Sequence, residues 1–152
     1  MNPNRLWSPA FINYGVSSGI FYMTQYVLVA ALPIILTSDL GGTALDAGLA
    51  MTYFQIGTIV CRPFAGRLID GLDKRVILLL SSILFFVIMG LFNLTTSLET
   101  IFVLRGLHGA IFALATTVMA ALAVVVLPAA RKGEGINMFA VFSNIAMVLR
   151  RL

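Results

Sequence analysis

Two groups of residues in this chain have the types and spacing to do chemistry. The first is the run Gly66-Arg67-Leu68-Ile69-Asp70-Gly71-Leu72-Asp73-Lys74-Arg75. Gly66 allows a second helix to approach closely. Asp70 at a helix end gains from a partner cation or from a facing helix N-terminus. Lys74 and Arg75 can supply that cation across the turn, so the set can form an ion-paired latch. The plainer reading is a basic loop whose carboxylates only balance its charge. The second group is Arg105 with His108, three residues apart and therefore on one helix face. An arginine inside an apolar helix costs several kcal/mol unless it is paired or hydrated. Beside it, a histidine is either a titratable partner or a neutral, packed side chain, and both readings stand.

Other chemistries lack their residues. No GxxxxGK[ST] phosphate loop is present, no His, Cys and carboxylate cluster has metal-ligand spacing, and the one histidine cannot serve a Ser/His/Asp set. The expectation is therefore a non-enzyme with no catalytic residue, no metal and no cofactor. Cys61 is the single cysteine, so an internal disulfide is excluded.

The elements that must position these groups are apolar blocks. Of 152 residues, 60% are hydrophobic and 11% charged, against about half and a quarter in a soluble domain, and mean hydropathy is +1.01. Such a chain finds its solvent in lipid. Uncharged or nearly uncharged stretches over about 11–36, 44–69, 76–94 and 101–127 are each long enough for the roughly 20-residue crossing of a bilayer. Pro63 is expected to kink or loosen the end of the second. Gly15 and Gly19 make a small-xxx-small step suited to helix packing. A fifth apolar segment, 136–149, reaches only about 21 Å at 1.5 Å per residue and reads as a partial helix. The expected fold is thus an all-α integral membrane bundle, a single truncated transmembrane domain over 1–152 with four complete helices and a partial fifth.

The first segment is about twice the length of a signal-peptide core and has no small-x-small cleavage site, so it reads as a retained helix. Asn93-Leu94-Thr95 matches a glycosylation sequon by chance, being too close to an apolar block. Arg5, Arg62, Arg67, Lys74, Arg75, Arg131 and Lys132 fall before the first helix or in the 2–3 and 4–5 connections, and the 1–2 and 3–4 connections hold no Lys or Arg. Basic residues favour the cytoplasmic side, which puts the N-terminus inside. The net charge of +4 is accounted for in this way, and nucleic acid is not an expected partner. Tyr22, Gln25, Tyr26, Tyr53 and Gln55 are polar at membrane depth and are candidates to face an interior cavity. The seven methionines and many phenylalanines fill helix interfaces and face lipid.

The run from Gly66 to Arg75 resembles the major facilitator superfamily signature G-x-x-x-D-[RK]-x-G-x-[RK] between its second and third helices. Gly66, Asp70 and Arg75 match, whereas Gly71 stands where a basic residue is usual and Asp73 where the second glycine is usual. Arg62-Pro63 is similar to the run preceding this signature in drug:proton antiporters. Arg105-Gly106-Leu107-His108-Gly109, continuing to Ala113, resembles the fourth-helix motif R-x-x-Q-G-x-x-x-A, with His108 in the place of glutamine. Arg131-Lys132-Gly133-Glu134-Gly135 is similar to the turn entering the fifth helix, which usually runs on into a glycine-proline signature that does not follow here.

The resemblance implies the N-terminal part of a twelve-helix secondary transporter. Gly66, Asp70, Lys74 and Arg75 would be its gate, and Arg105 would serve in proton coupling or in holding a polar site. Its partners would be the lipid bilayer, a small-molecule substrate and protons, and its place a bacterial plasma membrane. The expected function is secondary active, proton-coupled efflux of small molecules in the full-length protein, the fragment being inactive alone. Two alternatives are a small oligomeric four-helix exporter and a non-transporting membrane remnant or subunit. The first would place an acidic residue within a membrane helix, whereas Asp46 and Asp70 lie near helix ends.

Overall fold

The computed structural model describes residues 6–149. All regular structure among them is helical: α1 (Pro9–Ser38), α2 (Ala44–Gly71), α3 (Lys74–Phe92), α4 (Leu98–Val125), a 3-10 turn (Ala129–Arg131) and α5 (Lys132–Leu149). The first four are long and apolar enough to cross a membrane.

The helices extend beyond the apolar blocks because polar caps, invisible to hydropathy, set their ends. Ser8 Oγ accepts from the Phe11 amide at 3.2 Å, with Pro9 at the first helical position, where a missing N–H costs nothing. α2 begins with a capping box in which the Thr43 amide donates to Asp46 Oδ2 at 2.7 Å and Thr43 Oγ1 accepts from the Asp46 amide. Asp73 caps α3 by accepting from the Arg75 amide at 2.7 Å, which is why Lys74 and Arg75 are helical. α1 stops where Gly41 takes a φ of 63° and the Gly42 amide returns to the Leu36 carbonyl at 2.8 Å. A left-handed residue in that position is a common helix stop and suits glycine.

α2 continues through Pro63 to Gly71, and α1 likewise continues through Pro33 to Ser38. Membrane helices tolerate proline when neighbouring groups take up the freed carbonyl. α5 is 18 residues long, about 27 Å of rise, because the charged Lys132-Gly133-Glu134-Gly135 is helical too. An ion pair between Arg131 and Glu134 at 2.7 Å braces that start. The Leu127 side chain occupies the space a Cβ on Gly135 would need, so a larger residue there would have to displace it.

The chain forms two compact units. In one, made of the first part of α1, the last turns of α4 and α5, Leu6, Phe11, Ala123 and Leu127 form the core, with Phe139 and Phe142 against it. A Cβ on Gly15 would lie 2.5 Å from the Phe142 ring, and one on Gly19 3.3 Å from the Phe142 carbonyl oxygen. The small-xxx-small step is therefore the seat of α5. In the other unit, Leu28–Val118, Leu32 and Leu36 of α1, Ala47 and Ala50 of α2 and Ile101 of α4 form the core.

α4 is the inner helix: 56% of its apolar window is buried, against 22–28% for the other three. The remaining faces carry exposed Ile34, Leu45, Ile59 and Phe86, which only lipid or further protein can cover.

Candidate functional site

In the Leu28–Val118 unit, α2 and α4 cross at van der Waals contact of their backbones. A Cβ on Gly57 would fall on the Gly106 carbonyl oxygen, and one on Gly109 would fall on that of Phe54. Gly57 and Gly109, one on each helix, thus remove the side chains that would hold the backbones apart. Thr58 Oγ1 donates to the Phe54 carbonyl at 3.0 Å and lies 3.2 Å from the Gly109 carbonyl, a hydroxyl spanning the crossing.

That approach brings Arg105 to the α2 backbone. Its side chain is wholly buried, with Nε donating to the Ala50 carbonyl at 3.4 Å and Nη2 against Met51 Sδ at 3.5 Å. The guanidinium carbon lies 4.6 Å from the centre of the Phe54 ring, a cation–π geometry. Nη1 lies 3.2 Å from His108 Nδ1. A guanidinium can only donate, so Nδ1 is the acceptor and the His108 proton sits on Nε2. His108 is therefore a neutral imidazole here. The two groups hydrogen-bond each other rather than a common partner.

Four phenylalanines enclose the His108 ring: Phe85 at 4.9 Å between ring centres, Phe54 at 5.2 Å, Phe92 at 6.1 Å and Phe112 at 6.5 Å. Its buried Nε2 has no hydrogen-bond partner among the described residues. The box takes rings from α2, α3 and α4. None of these phenylalanines stands out in the sequence, where they are four of 11 in an apolar chain. The readable signal was the spacing of Phe112 from His108, one helical turn. Gly57 was likewise unmarked.

The Gly66–Arg75 stretch has a different character. Gly66 is exposed, and a Cβ there would meet nothing within 4 Å. Among the described residues the close backbone approach of α2 and α4 is at Gly57 and Gly109. Asp70 is exposed and makes no ion pair among the described residues. Lys74 turns back to donate from Nζ to the Ile69 carbonyl at 3.1 Å, closing the end of α2, and Arg75 points outward, exposed. Asp73, where the resembling signature has glycine, is the α3 cap.

The cavity candidates differ in exposure. Gln25 is buried, Tyr22 and Tyr26 are half-buried with ring centres 6.3 Å apart, and Gln55 is exposed. Tyr53, on α2, stacks on Phe102 at 5.4 Å and 6°.

Residues 14–150 match the description of the Major Facilitator Superfamily. The chain belongs to that superfamily. Both the Gly66–Arg75 turn and the Arg105–His108 pair lie within the matched span. An uncharacterized MFS-type transporter of Pseudomonas aeruginosa strain LESB58 is 42% identical over 60 residues, 39% of this chain and 15% of the relative. The like-named protein of P. aeruginosa strain UCBPP-PA14 gives the same figures. The staphylopine export protein of Staphylococcus aureus strain Mu50 is 27% identical over 139 residues, 89% of this chain and 34% of the relative. The chain thus spans 15% and 34% of the lengths of these curated relatives. Membership in this superfamily makes the chain a multi-pass membrane protein of a transporter family.

Proposed function

We propose that this chain forms part of a secondary transporter that exports small organic molecules across a bacterial plasma membrane, coupled to protons. The observation that carries the reading is Arg105. A guanidinium wholly buried in a membrane-spanning helix, held by a backbone carbonyl, an imidazole and an aromatic face, is expensive to keep and is retained at sites that move charge. Export accords with the activity named for the staphylococcal relative. Transport by rocking of two halves about a central site would draw on the helices that the longer relatives contain in addition, so this chain alone is inactive in the proposal.

In this reading Asp70, Lys74 and Arg75, with Gly66 beside them, form the gate at the cytoplasmic end. The Asp70 carboxylate, exposed in the present arrangement, finds its partner cation in another conformation or on another helix. The positive-inside pattern of Arg62, Arg67, Lys74, Arg75, Arg131 and Lys132 supports a cytoplasmic N-terminus. Tyr22, Gln25, Tyr26, Tyr53 and Gln55 are the proposed cavity residues.

Inverted vesicles energised by an imposed pH gradient test the proposal. Vesicles carrying the full-length transporter that contains this chain should accumulate an organic substrate saturably, with Arg105→Leu abolishing the flux. Vesicles carrying the 152 residues alone should show none. Saturable flux from the 152 residues overturns the need for further helices, and gradient-independent flux from the longer protein overturns the coupling.

A further inference from the structure

A cavity of about 680 Å³ opens at the end of the Leu28–Val118 unit that carries the α1–α2 and α3–α4 connections. Its walls are Leu28 and Leu32 of α1, Met89 and Phe92 of α3, and polar groups at the rim that include Asp39 and Asn93. This volume and this mixture, an apolar body with few polar groups, are those of small-molecule sites. Its position at the end opposite the Gly66–Arg75 turn sets it apart from the gate.

The electrostatics of the cavity select a sign. α1 ends at Ser38 and α3 at Phe92, so two helix C-termini, each carrying partial negative charge, meet at the rim. The Asp39 carboxylate adds a full charge. Asn93 Nδ2 is engaged with the Met89 carbonyl at 3.3 Å, which leaves its amide oxygen as the free end. The charged residues of the same two connections and adjoining helix starts are Asp39, Asp46 and Glu99, and no Lys or Arg occurs between Leu6 and Cys61 or between Val76 and Leu104. Arg105 lies one turn beyond Ile101, with its guanidinium directed to Ala50, Met51 and Phe54, none of which lines the cavity. The N-termini of α2 and α4 are the positive ends at these connections, and Asp46 and Glu99 in their first turns offset them.

The geometry points to a binding site for an organic monocation with an apolar body, its charge at Asp39 and its hydrocarbon against Leu28, Leu32 and Phe92. The site depends on the helical fold and not on the transport reading, since binding at equilibrium needs no flux.

Tetraphenylphosphonium and tetraphenylborate, alike in shape and opposite in charge, separate sign from hydrophobicity. Equilibrium dialysis against the full chain in nanodiscs of zwitterionic lipid should show saturable binding of the phosphonium above empty nanodiscs, and none of the borate. Asp39→Asn should weaken phosphonium binding about tenfold, the loss expected from removing one partly solvated ion pair. Leu28→Trp, which fills the cavity, should abolish it, while Glu134→Gln, at the start of α5, should leave it unchanged. Circular dichroism confirms that each variant keeps its helices. Phosphonium uptake no greater than in empty nanodiscs overturns the site. So do equal binding of the borate, and full binding by helical Asp39→Asn or Leu28→Trp.

Discussion

Arg105 Nη1 lies 3.2 Å from His108 Nδ1, one turn along the inner helix α4. The superfamily motif that this stretch resembles has glutamine in the place of His108. Glutamine's amide oxygen and the unprotonated Nδ1 of imidazole share one property that matters to a guanidinium, a lone pair that accepts. His108→Gln should therefore keep this bond to Arg105, and His108→Leu should remove it, at a cost of about 1–3 kcal/mol. Thermal unfolding in detergent, followed by helicity, checks this. The glutamine variant should melt near the parent and the leucine variant well below it. Equal melting of the two would mean that Nδ1 contributes nothing to holding Arg105.

The α2–α4 crossing makes a second, steric prediction. Gly57→Val places side-chain atoms where the Gly106 carbonyl now sits, and the backbones must part. Because the Arg105–Ala50 bond spans the same two helices, separation also loosens the guanidinium. A loss of about 2 kcal/mol or more is expected, the range of overpacked sites. Gly66→Ala and Gly90→Ala point into open space and should be neutral or stabilising by up to about 1 kcal/mol, since alanine is the better helix former. Denaturation by a graded anionic detergent would rank the three.

How far this arrangement was legible in the sequence depends on what each feature needed. Arg105 announced itself because one cation in an apolar block has no other explanation than burial with partners. The helices were legible because four apolar runs have the length of a bilayer crossing. The crossing at Gly57 was not, because 13 glycines are scattered through the chain and only the rotation of α2 decides which one faces α4. Gly66 drew attention through its signature, yet its surroundings are open. The phenylalanine box was hidden for a related reason: aromatic residues facing lipid and facing a buried histidine look the same along the chain. Asp73 was read as a departure from a glycine, whereas its carboxylate is the start of α3.

That last point separates two neighbouring carboxylates. Asp70 makes no bond among the described residues, so Asp70→Asn should leave stability within about 0.5 kcal/mol, as for surface changes away from special features. Asp73→Ala removes a cap and should cost about 1 kcal/mol. In the full-length transporter the order should reverse for function: under the gating proposal Asp70→Asn impairs flux in energised vesicles with insertion intact, and Asp73→Ala retains it. Unchanged flux in Asp70→Asn would reduce that residue to a charge-balancing position.

The start of α5 carries a pH-dependent contact. Arg131 donates to Glu134 through Nε at 2.8 Å and Nη2 at 2.7 Å. These hydrogen bonds, with the charge of Arg131 as a smaller cause against slight desolvation, hold the Glu134 carboxyl below the usual glutamate range. A carboxylate depressed in the folded state contributes stability above its unfolded pKa and loses it as pH falls through the lower, folded value. The contact is therefore complete at neutral pH and is lost only on the acid side of the ordinary glutamate titration. Both groups are exposed, and solvent screens them, so the effect is local: fraying of the first turn of α5, with the core at Phe142 unmoved. Carbon-detected NMR of the Glu134 carboxyl should give a midpoint below that of a free glutamate, and Arg131→Gln should return it to the free value. A midpoint at or above the free value in the parent chain would show that the pair does not form in solution.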